Sequence, residues 1–216
     1  MRIKVQVTLL LKVKDRDRST GTVRARVGYE LSPALIPFLE LSAGTTRYDQ
    51  KVDQSGYERS SETLAAKVGV EFDRGEKLTG EFALGYMRRD FADRRFRTLD
   101  AFSVDATANW SPQRGTDVHV TLRTAFDDFA SGDKGGWTSY KLETGLTHQL
   151  RRDLVARLTS QIEYRDADNV TDYTNSIGLT YTVNRYVDFT ADASYRITPR
   201  YQSDDIIVSA GIRLKR

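Results

Sequence analysis

Apolar and polar residues alternate along almost the whole of this chain, in long segments separated by Asp, Gly, Asn, Arg and Pro. In residues 60–73, for example, Leu64, Ala66 and Val68 alternate with Lys67 and Gly69. A period of two puts alternate side chains on opposite faces of a β-strand, whereas helical spacing is almost absent. The pattern predicts twelve strands, at residues 2–13, 20–31, 36–48, 60–73, 78–90, 101–111, 116–127, 137–150, 154–166, 171–183, 186–198 and 204–215.

The length of these strands and of their connections favours a membrane protein. A tilted strand needs roughly 9 to 11 residues to cross a bilayer, whereas strands of soluble proteins have about 5 to 6. Short connections (32–35, 73–77, 111–115, 151–153, 184–185) alternate with longer polar ones (49–59, 88–97, 127–136, 199–204). Outer-membrane barrels have short turns on one side and longer loops on the other. We therefore expect an all-β fold, a closed antiparallel up-and-down transmembrane β-barrel of about 12 strands, forming one domain over residues 1–216.

Composition excludes several other classes of protein. With 39% hydrophobic and 29% charged residues, the chain has no apolar run long enough for a membrane-spanning helix. It has no cysteine, which excludes disulfides and thiolate metal sites. The 33 basic and 30 acidic residues are scattered, so we expect no nucleic-acid partner. The N-terminus does not resemble a secretory signal, and we expect the export signal to be absent or removed.

The composition of the two faces predicts which one points inward. The polar faces combine glycines, hydroxyl groups and charges of both signs, as a narrow water-filled lumen requires, and twelve strands enclose more space than apolar side chains can fill. An excess of positive charge in this lumen predicts weak anion preference, unless salt bridges across the lumen occlude it. The predicted pore-lining residues are Arg24, Arg26, Glu40, Lys67, Glu71, Glu81, Asp105, His119, Arg123, Lys141, Glu143, Arg157, Glu163, Asp188, Asp192 and Arg213. The predicted lipid-facing residues are Val68, Val70, Leu84, Val104, Val120, Leu142, Leu158, Leu179, Phe189 and Val208.

Aromatic residues near the strand ends predict two interfacial girdles, although Tyr and Phe also favour strands in general. The girdle at the long-loop ends would contain Tyr86, Phe126, Tyr140, Tyr164, Tyr173 and Tyr195, and the other would contain Phe72, Trp110 and Tyr181.

Several phrases of the sequence resemble those of a known family. They are LSPALIPFLELSAGTTRYD (31–49), GYERSSETLAAKVGVEFD (56–73), LTGEFALGYMRRDF (78–91), FSVDATANWSP (102–112), RRDLVARLT (151–159) and LTYTVNRYVDFTADASY (179–195). They resemble proteobacterial outer-membrane proteins of the putative β-barrel porin 2 family over most of the chain after residue 30. The resemblance implies an integral outer-membrane barrel. The opening residues, 1–20, depart from it, which suggests the hypothesis of an engineered or replaced closing strand and a shortened pore.

The sequence contains little that could perform chemistry. A hydrolase would need a histidine beside a nucleophile, and His119 on a polar face is the sole candidate base, although pore lining suits it better. His148 falls on an apolar face near a strand end. Asp127, Asp128 and Asp133 could bind calcium in one loop, but solvated loop acids are the simpler interpretation. We expect no enzyme activity, no metal and no cofactor.

These observations predict a porin-like channel for passive diffusion of ions or small solutes, with the lipid bilayer as its partner. One alternative is a structural or export-accessory barrel whose lumen is plugged, and another is a soluble ligand-binding β-barrel. The natural solute and the oligomeric state stay open.

Overall fold

Twelve β-strands account for nearly all of the chain in the computed structural model, which describes residues 3–15, 18–129, 132–199 and 203–215. The strands are β1 Ile3–Asp15, β2 Arg18–Tyr29, β3 Leu35–Tyr48, β4 Ser61–Asp73, β5 Leu78–Phe91, β6 Leu99–Gln113, β7 Thr116–Asp128, β8 Gly136–Arg151, β9 Leu154–Arg165, β10 Val170–Asn184, β11 Val187–Thr198 and β12 Ser203–Leu214. Their bounds agree closely with the predicted segments. The hypothesis about residues 1–20 concerns in part residues 1, 2, 16 and 17, which lie outside the described residues.

The strands form a single sheet in sequence order from β1 to β12, and the pairings are antiparallel. This confirms the all-β, up-and-down architecture. Within the described residues the sheet order does not join β12 to β1. The described part of the chain contains no helix with the length and apolarity that a membrane crossing requires.

The pairing register keeps the two kinds of side chain on separate faces. Between β3 and β4, Leu39 lies opposite Val68, whereas Glu40 lies opposite Lys67. Directly opposite residues of an antiparallel pair share a face, so most apolar residues have apolar neighbours and most charges have polar ones, although Ile36 lies opposite Glu71. Slipping this register by one residue would exchange the two faces, and the amphipathic pattern therefore specifies it.

Glycines close two of the short turns. Gly75, between β4 and β5, and Gly115, between β6 and β7, have φ angles of 67° and 79°. Residues with a Cβ rarely adopt this left-handed conformation, and hairpin turns require it. The backbone N–H of Arg74 donates to the carbonyl of Leu78 at 2.7 Å across the first turn.

The contacts divide the chain into two compact units. Unit 1 consists of residues 1–73, 81–105 and 123–139, and unit 2 of residues 74–80, 106–122 and 140–216. Unit 1 has a small buried apolar cluster on its polar face, formed by Ile36, Phe38, Ala83, Ala101 and Phe126.

The burial of Phe126 contradicts its predicted place in the aromatic girdle. Its side chain is only 7% exposed and lies beneath the guanidinium of Arg89, 5.3 Å from the ring centroid. The reason lies two residues earlier, where the Thr124 hydroxyl accepts from the Val104 N–H at 2.9 Å and donates to the Val104 carbonyl at 3.0 Å. Because a side chain replaces the backbone partner there, the alternation that holds up to Leu122 does not continue to Phe126.

Candidate functional site

The polar face of unit 1 is built around Arg26. Its Nε donates to Glu40 at 2.8 Å, its Nη1 donates to Glu81 at 2.8 Å, and its guanidinium lies 4.0 Å from the centroid of the Phe38 ring. Arg24 approaches the other oxygen of Glu40 at 3.3 Å. Glu40 is only 4% exposed, and a carboxylate so buried needs such compensation.

Two further charge clusters lie on the same unit. Lys67 on β4 forms an ion pair with Asp105 on β6. Arg89 donates to Asp128 at 2.7 Å, and Arg18 lies 3.7 Å from the same carboxylate. Opposite charges on different strands therefore compensate one another over this face, reaching past the adjacent strand.

Unit 2 carries a comparable set of pairs. Lys141 lies 3.4 Å from Glu163, and the guanidinium of Arg157 lies 3.2 Å from Asp192. Arg157 also donates to the hydroxyl of Thr180 at 2.7 Å. A third pair of this unit joins Lys215 to Asp188 at 2.6 Å.

A groove opens on the polar face of β9 to β12. It encloses about 540 Å³ and is lined by Gln161, Glu163, Asp172, Thr174, Arg196, Thr198 and Asp205. Arg165, on the same face of β9, lies 3.2 Å from Asp172 and 3.9 Å from Asp168. Of these lining residues, only Glu163 was among the predicted pore-lining residues. Alternation shows which face a residue occupies but not where that face is concave.

The remaining predicted pore-lining residues are Glu71, Arg123, Glu143, Arg213 and His119, and all five are exposed. The ring nitrogens of His119 contact the Asn109 amide oxygen and the Thr121 hydroxyl, each at 2.8 Å.

The second histidine, His148, and two of the candidate calcium ligands make contacts within the sheet. His148 lies 2.8 Å from the hydroxyl of Thr116. Asp127 accepts a hydrogen bond from Ser139 at 2.6 Å, and Asp128 belongs to the Arg89 cluster. Among the described residues, no three His, Cys, Asp or Glu side chains are grouped so as to hold a metal ion. Asp127 and Asp128 are therefore engaged in bonds to other side chains of the sheet.

The opposite face of the sheet exposes apolar side chains. Val68 is 61% exposed, and Leu158, Leu179, Phe189 and Val208 are exposed as well. The other predicted lipid-facing residues, Val70, Leu84, Val104, Val120 and Leu142, are partly exposed. Soluble proteins rarely expose so many apolar side chains together, whereas a lipid-facing surface requires them.

Arg59, which belongs to the predicted polar connection 49–59, hydrogen-bonds to two loops of unit 1. Its side chain is 4% exposed, and its Nε donates to Asp53 at 2.5 Å. Nη1 donates to the carbonyls of Phe129 and Lys134 at 2.9 and 3.0 Å, and Nη2 donates to that of Gly132 at 2.7 Å. Residues 49–60 are thereby joined to residues 129 and 132–135 through one guanidinium.

Aromatic rings complete this loop hub, which we define as residues 49–60, 92–98, 129 and 132–135. Phe96 stacks on Tyr57 with centroids 5.0 Å apart, and Phe91 meets it edge-on at 5.4 Å. The guanidinium of Arg59 lies 5.1 Å from the Phe96 ring, and that of Arg95 lies 4.1 Å from the Tyr57 ring. Aromatic residues inside loops that are otherwise polar were the signal that could have indicated this cluster.

Hydrogen bonds lower the pKa values of two loop carboxyls. The Arg95 side chain, followed by its backbone N–H, holds the pKa of Asp93 well below its usual range. The backbone N–H of Tyr57, with a smaller contribution from the Arg59 guanidinium, lowers the pKa of Asp53. Donors that favour the charged form of a carboxyl have this effect.

An antiparallel sheet with an exposed apolar face and an ion-paired polar face is the architecture of an outer-membrane protein of porin type. The chain belongs to the putative beta-barrel porin 2 family, whose model matches residues 4–216, and it is an integral protein of the outer membrane. The match includes the opening strand, so the expectation that the first twenty residues depart from the family was wrong for residues 4–20. The soluble ligand-binding barrel does not fit this family.

Solved structures with TM-scores above 0.5 show the same kind of fold at low sequence identity. The outer membrane channel DcaP of Acinetobacter baumannii is 12% identical, with a TM-score of 0.55 covering 91% of this chain and 62% of that one. The FrpB iron transporter from Neisseria meningitidis is 10% identical, with a TM-score of 0.56 covering 83% of this chain and 35% of FrpB. The NanC porin is 10% identical, with a TM-score of 0.47 covering 92% and 96% of the two chains. No curated protein matches this sequence.

Proposed function

We propose that this protein is a porin-like channel that lets ions or small solutes diffuse passively through a polar lumen. The observation that carries the proposal is the separation of an exposed apolar face, with Val68 and Leu179, from a polar face, with Arg26 and Lys67. A lipid-facing exterior requires the first, and a water-filled interior suits the second.

Closure of the sheet into one barrel is part of this proposal. Strands β1 and β12 are the two ends of the sheet order, and an even number of strands allows them to pair antiparallel. In hydrocarbon every unpaired backbone amide costs several kcal/mol, so an open sheet edge would be unstable there. We propose that β12 pairs with β1 and that residues 1–216 form a single transmembrane domain.

The pairing of charges bears on ion preference. Most of the predicted pore-lining cations, such as Arg26, Lys67 and Arg157, are matched by carboxylates on other strands of the sheet. A cation that is paired with a nearby carboxylate contributes less to the electric field in the lumen than an unpaired cation does. We propose only a weak anion preference, to which the exposed Arg123 contributes.

Single-channel recording in a planar bilayer tests the channel directly. We expect discrete ohmic current steps from the purified protein. Arg123→Glu should shift the reversal potential in a salt gradient toward cations, whereas Arg47→Glu, at an exposed strand end on the apolar face, should leave it unchanged. Silence from protein shown to be inserted would contradict the proposal.

A second candidate, an outer-membrane barrel with an occluded lumen and a structural or export-accessory role, is favoured by one observation. The loop hub and the buried cluster around Phe38 and Phe126 fill space on unit 1. Silent but inserted protein would support this candidate. In either case we propose no catalytic role, because His119 contacts only an amide and a hydroxyl among the described side chains.

A further inference from the structure

We propose that the groove on β9 to β12 binds small uncharged solutes rich in hydroxyl groups, of about the size of a monosaccharide. The proposal rests on the proposed channel function, because solutes would meet this groove on the lumen face. It goes further by naming the chemical class that the groove recognises.

The lining of the groove is polar on all four strands. Gln161 on β9 lies opposite Thr174 on β10, and Thr174 lies next to Arg196 on β11, which is opposite Asp205 on β12. One row across the sheet thus offers an amide, a hydroxyl, a guanidinium and a carboxylate. A second row offers Glu163, Asp172 and Thr198. Among the described residues, the lining includes no aromatic or aliphatic side chain, so this surface does not suit an apolar ligand.

The charges around the groove offset one another. Glu163 has Lys141 at 3.4 Å, and Asp172 has Arg165 at 3.2 Å. Arg196 is opposite a third carboxylate across the sheet. Because each carboxylate lies near a cation, a charged solute gains little net attraction here and would have to displace a partner of its own sign. A neutral solute does not incur this cost.

Three buried atoms at the groove lack hydrogen-bond partners in the described part of the chain. They are the Oδ1 atom of Asp172, which lines the groove, and the Nε and Nη2 atoms of Arg165, although this guanidinium lies within ion-pair distance of Asp172. Buried polar atoms normally have hydrogen bonds, and leaving one unsatisfied is costly. A hydroxyl group donates as well as accepts, so a hydroxyl of a solute in the groove could donate to the Asp172 carboxylate, which belongs to the lining.

The size of the groove agrees with a small solute. Its volume of about 540 Å³ falls within the range of known ligand pockets, about 300 to 1,000 Å³, and leaves room for a hexose with some water. The groove is open on the lumen face, so binding should be weak and exchange fast, as passage through a channel requires.

Titration by nuclear magnetic resonance tests the inference. Isotope-labelled full-length protein in detergent micelles would be titrated with glucose, and separately with glucosamine and glucuronate, which have similar size but opposite charges. We expect shifts of amide signals in β9 to β12 with glucose, and weaker binding of its two charged analogues, which would each have to displace a charge partner.

Two isosteric variants and a control locate the site. Thr174→Val and Gln161→Leu each remove hydrogen-bonding groups from the lining and should weaken glucose binding about fivefold. Thr159→Val makes the same change on the same face of β9, outside the lining, and should leave affinity unchanged. Two lining variants are used so that a folding defect in one does not decide the result.

Three outcomes would overturn the inference: no shifts in β9 to β12 with glucose, unchanged affinity in both lining variants, or binding of either charged analogue as tight as that of glucose or tighter. The conductance experiment separates this failure from that of the channel itself. A conducting protein without glucose-induced shifts refutes the groove alone, whereas a silent protein that shows them refutes the channel and supports the groove.

Discussion

Val68→Arg is the substitution that most directly tests which face of the sheet meets lipid. Val68 lies near the middle of β4, opposite Leu39, and both side chains are exposed on the apolar face. Glu62, the acidic residue of β4 on that face, lies six residues away, too far to pair with a new guanidinium. An arginine near the bilayer midplane of a barrel costs about 2 to 4 kcal/mol, a roughly 30-fold to 900-fold change in the folding equilibrium.

Thr45→Arg supplies a matched control. Thr45 is exposed on the apolar side of β3 near the end of the strand, and it lies opposite Glu62. The same substitution at a bilayer interface costs about 0 to 1 kcal/mol, and here the carboxylate of Glu62 is within reach.

Folding into lipid vesicles at increasing urea concentration, followed by the fluorescence of Trp110 and Trp137, would measure both variants. We expect Val68→Arg to lose most of the stability gained on insertion and Thr45→Arg to stay close to the wild type. Equal midpoints for Val68→Arg and the wild type would refute the orientation of the faces, and with it the polar lumen.

Three further predictions concern packing and the loops. Gly69→Ala should lower the unfolding free energy by about 1 to 3 kcal/mol in a thermal or urea transition, because the added Cβ would lie 2.5 Å from the main-chain oxygen of Phe82. The control Gly21→Ala should be neutral, because the nearest atom to its Cβ would be 3.9 Å away. Equal effects of the two substitutions would contradict the close approach of the strands at Gly69. The lowered pKa of Asp93 means that its stabilisation of the loop is complete above the ordinary carboxyl range and is lost only as pH falls through the lowered pKa. Amide exchange in residues 92–98, corrected for the intrinsic effect of pH, should therefore show equal protection at pH 7 and pH 5, and a loss by pH 5 would disprove this. Arg59→Ala should speed amide exchange in residues 132–135 without changing that of the strands, and unaltered loop exchange would show that the guanidinium does not hold the loops together.

The positions of the strands could be predicted because they depend on local sequence. A strand that separates lipid from a polar face must alternate along its whole length, so segments such as 60–73 and 78–90 show both their bounds and their two faces. The short turns at Gly75 and Gly115 were predictable for the same reason, since a positive φ at a hairpin favours glycine.

The partners of the charged residues could not be predicted from alternation. Glu40 and Lys67 lie opposite each other in the register, yet Glu40 accepts a hydrogen bond from Arg26 and Lys67 pairs with Asp105 on β6. Long side chains reach past their nearest neighbours, so the choice among several opposite charges depends on the curvature and spacing of the strands.

The sequence by itself determined the strands, their faces and the class of protein, because burial against lipid or water is imposed residue by residue. Only the tertiary structure decided that Phe126 turns inward, that Arg59 holds a loop about 70 residues away, and that Asp172 borders a groove. These features arise where a side chain replaces a backbone partner or where distant segments meet, and neither event leaves a periodic signal in the chain.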